Sequence, residues 1–256
     1  MAEQRSYGPV VPAGTTIDSA GDGVIISVSV HGGWGGALRS ETFDVLRHCL
    51  AAHPAALLID LNALQDVEAL SLPAWMQVRH VGAAVRPPVL VALCVPPEMT
   101  LGHRLQAART GRQLPVFAKP HQARAALHNL IPADDRLVLH LDAALHAPRL
   151  ARDLVDRACR MWGLWHQGFS ARLIVTELVA NAVRHAGTAI RVTVVRRAAS
   201  LHLIVADDDH RLPRLPQLRR GVRVPSGLHL VAAAAVQWGV IPTTGGKMVW
   251  ATPRER

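Results

Sequence analysis

The stretch Val175-Thr176-Glu177-Leu178-Val179-Ala180-Asn181-Ala182-Val183-Arg184-His185-Ala186 decides how the second half of the chain is read. At about 100° per residue, Glu177, Asn181 and His185 fall on one face of a helix and drift by about 40° per step. Ile174, Val175, Leu178, Val179, Ala182 and Val183 line both flanks. A narrow polar stripe between apolar shoulders suits a cleft, although these three residues alone also fit a solvated face.

Outward from this helix, placed at 170–186, the pattern predicts a preceding helix over 145–162 and a strand over 136–141. Two adjacent strands follow at 190–196 and 201–207, then an Arg- and Pro-rich stretch over 208–225. A helix over 227–236 and a strand over 247–252 close the chain. The first half has a different rhythm. Strands are expected at 24–30, 56–61, 88–95 and 114–117. Helices are expected at 37–52, 70–85, 101–110 and 122–130, with Pro73 in the first turn of the second. Strands alternating with helices imply an α/β layer with parallel pairing. The change of rhythm puts a boundary at 131–135, giving an α/β protein of two domains, 14–130 and 134–254.

Composition narrows the class. Of 256 residues 50% are hydrophobic and 18% charged, so the chain is too apolar to be disordered. No apolar run approaches the roughly 18 residues that span a bilayer, and Met1-Ala2-Glu3-Gln4-Arg5 opens no signal core. A cytoplasmic location with no membrane contact is expected. Cys49, Cys94 and Cys159 are widely spaced without a Cys-x-x-Cys pair, so buried thiols are expected rather than disulfides or a zinc site. The net charge of +9 is carried almost wholly by arginine, since only Lys119 and Lys247 are lysines. Arg211, Arg214, Arg219, Arg220 and Arg223 crowd one stretch. The interleaved prolines and missing aromatics there favour a lid or solvated loop over a nucleic-acid contact.

Taken in order, the motifs of residues 134–254 resemble the GHKL ATPase superfamily, and within it the bacterial anti-sigma-factor serine kinases. Glu177 to Asn181 looks like the N box, Asp207 like the adenine-binding aspartate, and Ser226-Gly227-Leu228 like the end of the ATP lid. Arg152 matches the arginine that lies near the catalytic glutamate. Trp238-Gly239-Val240 and Gly245-Gly246-Lys247 fit the ending. The resemblance implies a Bergerat α/β sandwich that binds ATP and Mg²⁺. Asn181 would offer its amide oxygen to the metal. Asp207, Ser226, Gly227, Leu228 and Lys247 would hold the nucleotide, with Glu177 as general base and Arg152 orienting it or offsetting phosphate charge. Without the resemblance, Asp207 reads as a strand end, and Gly227, Gly245 and Gly246 as turn glycines. Two positions depart from the family pattern. Its Asp-x-Gly reads Asp207-Asp208-Asp209, and Pro225, which lacks an N–H, replaces the first lid glycine.

Residues 14–130 resemble a STAS domain, the fold of anti-sigma-factor antagonists. The supporting residues are Leu57-Leu58-Ile59-Asp60-Leu61 as central strand and Leu114 to Ala123 ahead of the last helix. Where phosphorylatable members carry their acceptor, this chain has Glu68-Ala69-Leu70-Ser71. Ala69 has no hydroxyl. Ser71 is a nearby hydroxyl that also reads as an N-cap or exposed polar residue. The resemblances together imply an ATP-binding regulator of sigma-factor partner switching, with a sigma factor or a STAS anti-sigma-factor antagonist as partner. The candidate activity is phosphorylation of that antagonist, and the two halves are expected to dock on one another. The alternative is a non-catalytic pseudokinase tethered to a pseudo-antagonist, acting as a scaffold.

Overall fold

The computed structural model describes residues 14–18, 23–107, 114–213 and 227–255. They form two five-stranded sheets. The first runs β1 (Gly14–Asp18), β2 (Ile25–Gly33), β3 (Ala56–Gln65), β4 (Leu90–Cys94), β5 (Val116–Phe117), in that spatial order. β1 is antiparallel to β2, and β2 to β5 are parallel. Parallel neighbours need crossovers, supplied by α1 (Gly36–Ala51), α2 (Leu72–Ala84) and α3 (Thr100–Ala107), with α4 (Pro120–Leu130) after β5. Pro73 sits in the first turn of α2, where its missing N–H costs nothing. A short 3₁₀ turn, Ala133–Asp135, leads into the second half.

The second sheet is antiparallel. It contains β6 (Arg136–Leu141), β7 (Ile190–Arg197), β8 (Ser200–Asp207), β9 (Ala235–Thr243) and β10 (Gly246–Pro253), in the order β6-β7-β8-β10-β9. α5 (Ala147–Trp162), α6 (Gly168–Asn181) and α7 (Gly227–Ala234) cover one face. α5 buries Ala147, Ala151, Leu154, Val155, Ala158 and Cys159, a stripe at helical spacing. Val192, Leu203, Val205, Val249 and Ala251 meet it from the sheet.

Two strands escaped the sequence reading. β1 is short, and β9 begins at Ala235, where the alanine-rich run suggested a helix to 236. Gly239 and Pro242 also argue against a strand. Pairing with β10 across eight positions overrides propensity, and a Cβ at 239 would lie 2.9 Å from the Trp250 ring. The residue is glycine because that indole lies over it.

The other face of the second sheet is covered along β8 and β10, while Val138 and His140 on the edge strand β6 stay exposed. Because side chains alternate along a strand, Ile204 on β8 and Met248 and Trp250 on β10 point away from the helices. With Val195 and Ile241 they join the core of the first half. They pack at the N-terminal ends of its parallel strands. A Cβ on Gly23 would stand 3.0 Å from Met248 Sδ and 3.2 Å from Ile204 Cγ2. Arg197 Nη2 donates to the carbonyls of Pro54 (3.1 Å) and Pro88 (2.9 Å), which precede β3 and β4. His48 Nε2 donates to Val240 O at 2.6 Å, and Thr244 N donates to Ile17 O at 2.9 Å. Among the described residues, the buried side-chain nitrogens without a partner are His53 Nδ1, Arg197 Nε and Trp250 Nε1. All three residues lie at this seam, so apolar burial carries it more than hydrogen bonding does.

His202, 3% exposed, stacks on Trp250 with centroids 5.7 Å apart and hydrogen-bonds with Thr252 Oγ1. Burial first, then the nearby His53 and Arg197, push its imidazole down to about 3. The folded protein therefore holds it neutral, while the unfolded chain takes up a proton below about pH 6.5. Stability falls as pH drops from about 6.5 towards 3. Denaturant titrations of wild type and His202→Phe at pH 7 and 5 should show the wild type losing about 2 kcal/mol more than the variant. A second expectation concerns the seam. Residues 134–255 expressed alone bare Ile204, Ile241, Met248 and Trp250, and should aggregate on gel filtration where the full chain does not.

Candidate functional site

α6 runs to Asn181 and continues as a π turn, Ala182–Ala186, that places Asn181 and His185 at its ragged end. Glu177 is half-buried one turn earlier and faces the start of α7. A Cβ on Gly227 would overlap its Oε2, so any larger residue there must turn the Glu177 carboxylate aside. Leu228, the next residue, is buried in the helix-side core. Ser226 and Pro225, with the rest of the expected lid, lie outside the described residues.

The other expected site residues are engaged with partners inside the protein. Asn181 Oδ1, the atom a metal would use, accepts from Arg184 Nη2 at 2.9 Å. Arg152 Nη1 donates to Thr176 Oγ1 at 3.3 Å, reaching the residue before Glu177 rather than its carboxylate. Asp207 closes β8 on the helix-facing side, 5% exposed. Its Oδ1 accepts from Lys247 Nζ at 2.6 Å and from the backbone N–H of Asp209 at 3.0 Å. Lys247, the second residue of β10, lies directly opposite Asp207, so the sheet register itself makes the pair. The preceding Gly246 has φ +139°, and any Cβ there would collide with the Asp207 and Asp208 backbone.

A polar chain grows from that pair. Lys247 Nζ also donates to Asp209 O at 2.8 Å and lies 3.4 Å from Asp209 Oδ2. Asp209 Oδ1 accepts from the Arg211 backbone N–H and from its Nε, both at 3.1 Å. Arg211 Nη2 reaches His185 O at 3.0 Å, tying the segment after β8 to the end of α6. The Arg211 backbone bond first, then its side-chain bond and the Lys247 charge, hold the Asp209 carboxyl below the usual carboxylate range. Arg184 did not stand out in the sequence as a site residue, and Arg211 did so only as one of the arginines weighed for a nucleic-acid contact. The available signal was Asp209 itself, an acid two residues before an arginine where the family pattern has glycine.

A cavity of about 370 Å³ opens at this end of the second sheet, lined by Asp18, Asp142, Arg191, Asp208 and the Asp207–Lys247 pair. Glu177, Asn181 and Gly227 do not line it. The structure thus brings Asp207, Asp209 and Lys247 together and sets Glu177 against Gly227.

Ser71, the hydroxyl considered for modification, is fully buried. Its Oγ donates to Asp66 Oδ2 at 2.5 Å and accepts from Trp75 Nε1 at 2.7 Å. It precedes α2 without capping it by its side chain. The Asp66 carboxylate instead takes the N–H groups of Leu70 (2.8 Å) and Ser71 (2.9 Å).

No family model matches the chain, and no curated protein does. Among solved structures, one of RsbU and RsbW domains from Mycobacterium tuberculosis is similar at 19% identity, covering 46% of this chain with a TM-score of 0.36. The alignment takes in 32% of that structure's own length, so this chain spans about a third of it. An anti-sigma factor antagonist from Mycobacterium paratuberculosis is similar at 15% identity over 48% of this chain and 99% of its own, with a TM-score of 0.40. Among the described residues no helix is long and apolar enough to cross a membrane.

The Lys247 ammonium is 7% exposed and its Asp207 partner 3%. Lys247→Met leaves Asp207 buried without its counter-charge and should cost about 3–5 kcal/mol in denaturant unfolding. Ser71→Ala removes two buried bonds and should cost about 1–3 kcal/mol in the same measurement.

Proposed function

We propose that this chain is a partner-binding regulator of a sigma-factor switching pathway, a STAS-like half fixed to a GHKL-like half that works without phosphoryl transfer. One observation carries the reading. Asp207, the residue that would accept the adenine amino group, has Lys247 Nζ at 2.6 Å and the Asp209 N–H at 3.0 Å. A nucleobase entering there meets a carboxylate whose charge Lys247 already offsets, and one that displaced Lys247 would break a buried ion pair at a cost of several kcal/mol. The Arg184 bond to Asn181 and the Arg152 bond to Thr176 support it, since both take groups that metal binding and Glu177 orientation would use. The partners of such a module are a sigma factor or a STAS antagonist, recognised by surface rather than by phosphorylation.

The ATP-dependent kinase reading draws on one feature, the Glu177 carboxylate set against the start of α7 at Gly227. In that reading Glu177 takes the proton of an attacking hydroxyl, Asn181 holds Mg²⁺, and ATP supplies the phosphoryl group. Calorimetry of the full chain with ATP and Mg²⁺ separates the two. The scaffold reading expects no heat of binding at millimolar ATP for wild type and for Asn181→Ala alike. Micromolar, Mg²⁺-dependent binding that Asn181→Ala abolishes would overturn it.

A further inference from the structure

The edge of a sheet exposes a row of unpaired N–H and C=O groups, and proteins blunt it with short strands, proline, lysine or covering side chains. Three of the four edges here are blunted among the described residues. β5 is two residues long, and β9 carries Pro242. β1 gives the Thr15 N–H to Glu41 Oε1 at 2.8 Å and the Ile17 carbonyl to Thr244 N at 2.9 Å. β6 has no such device. It reads Arg136-Leu137-Val138-Leu139-His140-Leu141, without proline or lysine, and its ladder to β7 is unbroken. Among the described residues, Leu137 to Leu141 form no hydrogen bond beyond that ladder.

The side chains along this edge are apolar and incompletely covered. Leu137 and Leu139 reach the helix-side core but stay half-buried, and Val138 on the opposite face is 38% exposed. An exposed leucine flanks each end, Leu130 at 61% before the strand and Leu145 at 96% after it.

A two-fold axis pairs such an edge with its own copy in antiparallel fashion. Residues directly opposite one another share a sheet face, so the helix-side Leu137, Leu139 and Leu141 must meet the same set in the partner. Two registers then keep most of the strand paired. Setting Val138 opposite the partner's Val138 puts Arg136 against the partner's His140, and Asp142 against the partner's Asp134, carboxylate on carboxylate. Setting Leu139 opposite the partner's Leu139 instead puts Leu137 against the partner's Leu141 and Arg136 against the partner's Asp142, a pairing of opposite charges that the symmetry makes twice. Asp142 has no ion pair among the described residues, and Arg191, which lines the same cavity, has none either. Arg136 Nη1 donates to His128 Nδ1 at 3.0 Å, which holds the guanidinium at the start of the strand. Asp135 is paired with Arg196, while Asp134 at one end and His146 and Arg149 at the other leave neither end with a single sign. Register rather than net charge therefore decides the contact.

We infer that β6 pairs with β6 of a second copy of this chain in the Leu139-centred register, so that the second sheet continues across a dimer. The partner strand covers the open sides of Leu137, Val138 and Leu139, and the Leu145 end of one strand lies beside the Leu130 end of the other.

Sedimentation velocity of the full chain from about 1 to 100 µM, the range where modest interfaces dissociate, tests this. Wild type should pass from monomer to dimer across that range. Arg136→Glu sets a glutamate against the partner's Asp142, and Asp142→Arg sets two guanidinium groups together. Each change acts twice in the dimer and should weaken association about tenfold, with circular dichroism and melting as in wild type. Arg136→Glu and Asp142→Arg combined in one chain restore opposite charges and should recover most of the association. Hydrogen exchange of wild type, which needs no substitution, should slow in the segment 136–142 at the high end of the concentration range and stay unchanged in β9. A wild-type chain that remains monomeric overturns the inference, including one whose β6 amides exchange equally slowly at every concentration. So does a dimer indifferent to both charge reversals, or a combined variant that associates no better than the single ones.

Discussion

The structure depends on the inner strands β8 and β10 of the second sheet being buried on both faces. Antiparallel sheets commonly keep one face in water and alternate apolar with polar side chains. Here β8 reads Leu201-His202-Leu203-Ile204-Val205-Ala206, with almost nothing polar on either side. Its odd-numbered residues pack under α5, α6 and α7, and its even-numbered ones face the first half. The polar residue turned towards the seam, His202, is kept neutral and stacked on Trp250. The docking of the halves is thus built into the alternation of single strands.

This arrangement settles which surfaces remain for other molecules. The seam takes the N-terminal ends of the first sheet's parallel strands and the helix-free face of the second. It leaves the opposite end of the first sheet, with Asp66, Leu70 and Ser71, and the helix layer of the second half. The first half therefore does not cover Glu177 or Asn181. Asp207, Asn181 and Asp209 are held by Lys247, Arg184 and Arg211 of the second half, while Asp18 of the first half joins the lining of the cavity beside the Asp207–Lys247 pair.

Much of this was legible in the sequence because periodicity reports burial. The alternation of strand and helix in the first half, the paired helices α5 and α6, and the hairpin β7–β8 all follow from apolar spacing. β9 was not, because Gly239 and Pro242 hide a strand whose existence depends on pairing with β10 and on the indole of Trp250. The helical position of Glu177 and Asn181 was equally readable, while their partners were not. Nothing local says that Lys247 pairs with Asp207, since the two are forty residues apart and meet through sheet register. Ser71 shows the same limit. Its hydroxyl looks available in the sequence, and only the burial of Trp75 and Asp66 around it shows that it is a structural bond.

The seam also binds the histories of the two halves together. A Cβ on Gly23 would crowd Met248 and Ile204 of the second half, and Arg197 spans two carbonyls of the first. A side chain at Gly23 makes Met248 or Ile204 across the seam give way, and a shorter side chain at 197 leaves the Pro54 and Pro88 carbonyls without their donor. A swap of either half for another module of the same fold would therefore have to bring with it the side chains that meet Gly23, Pro54 and Pro88 across the seam.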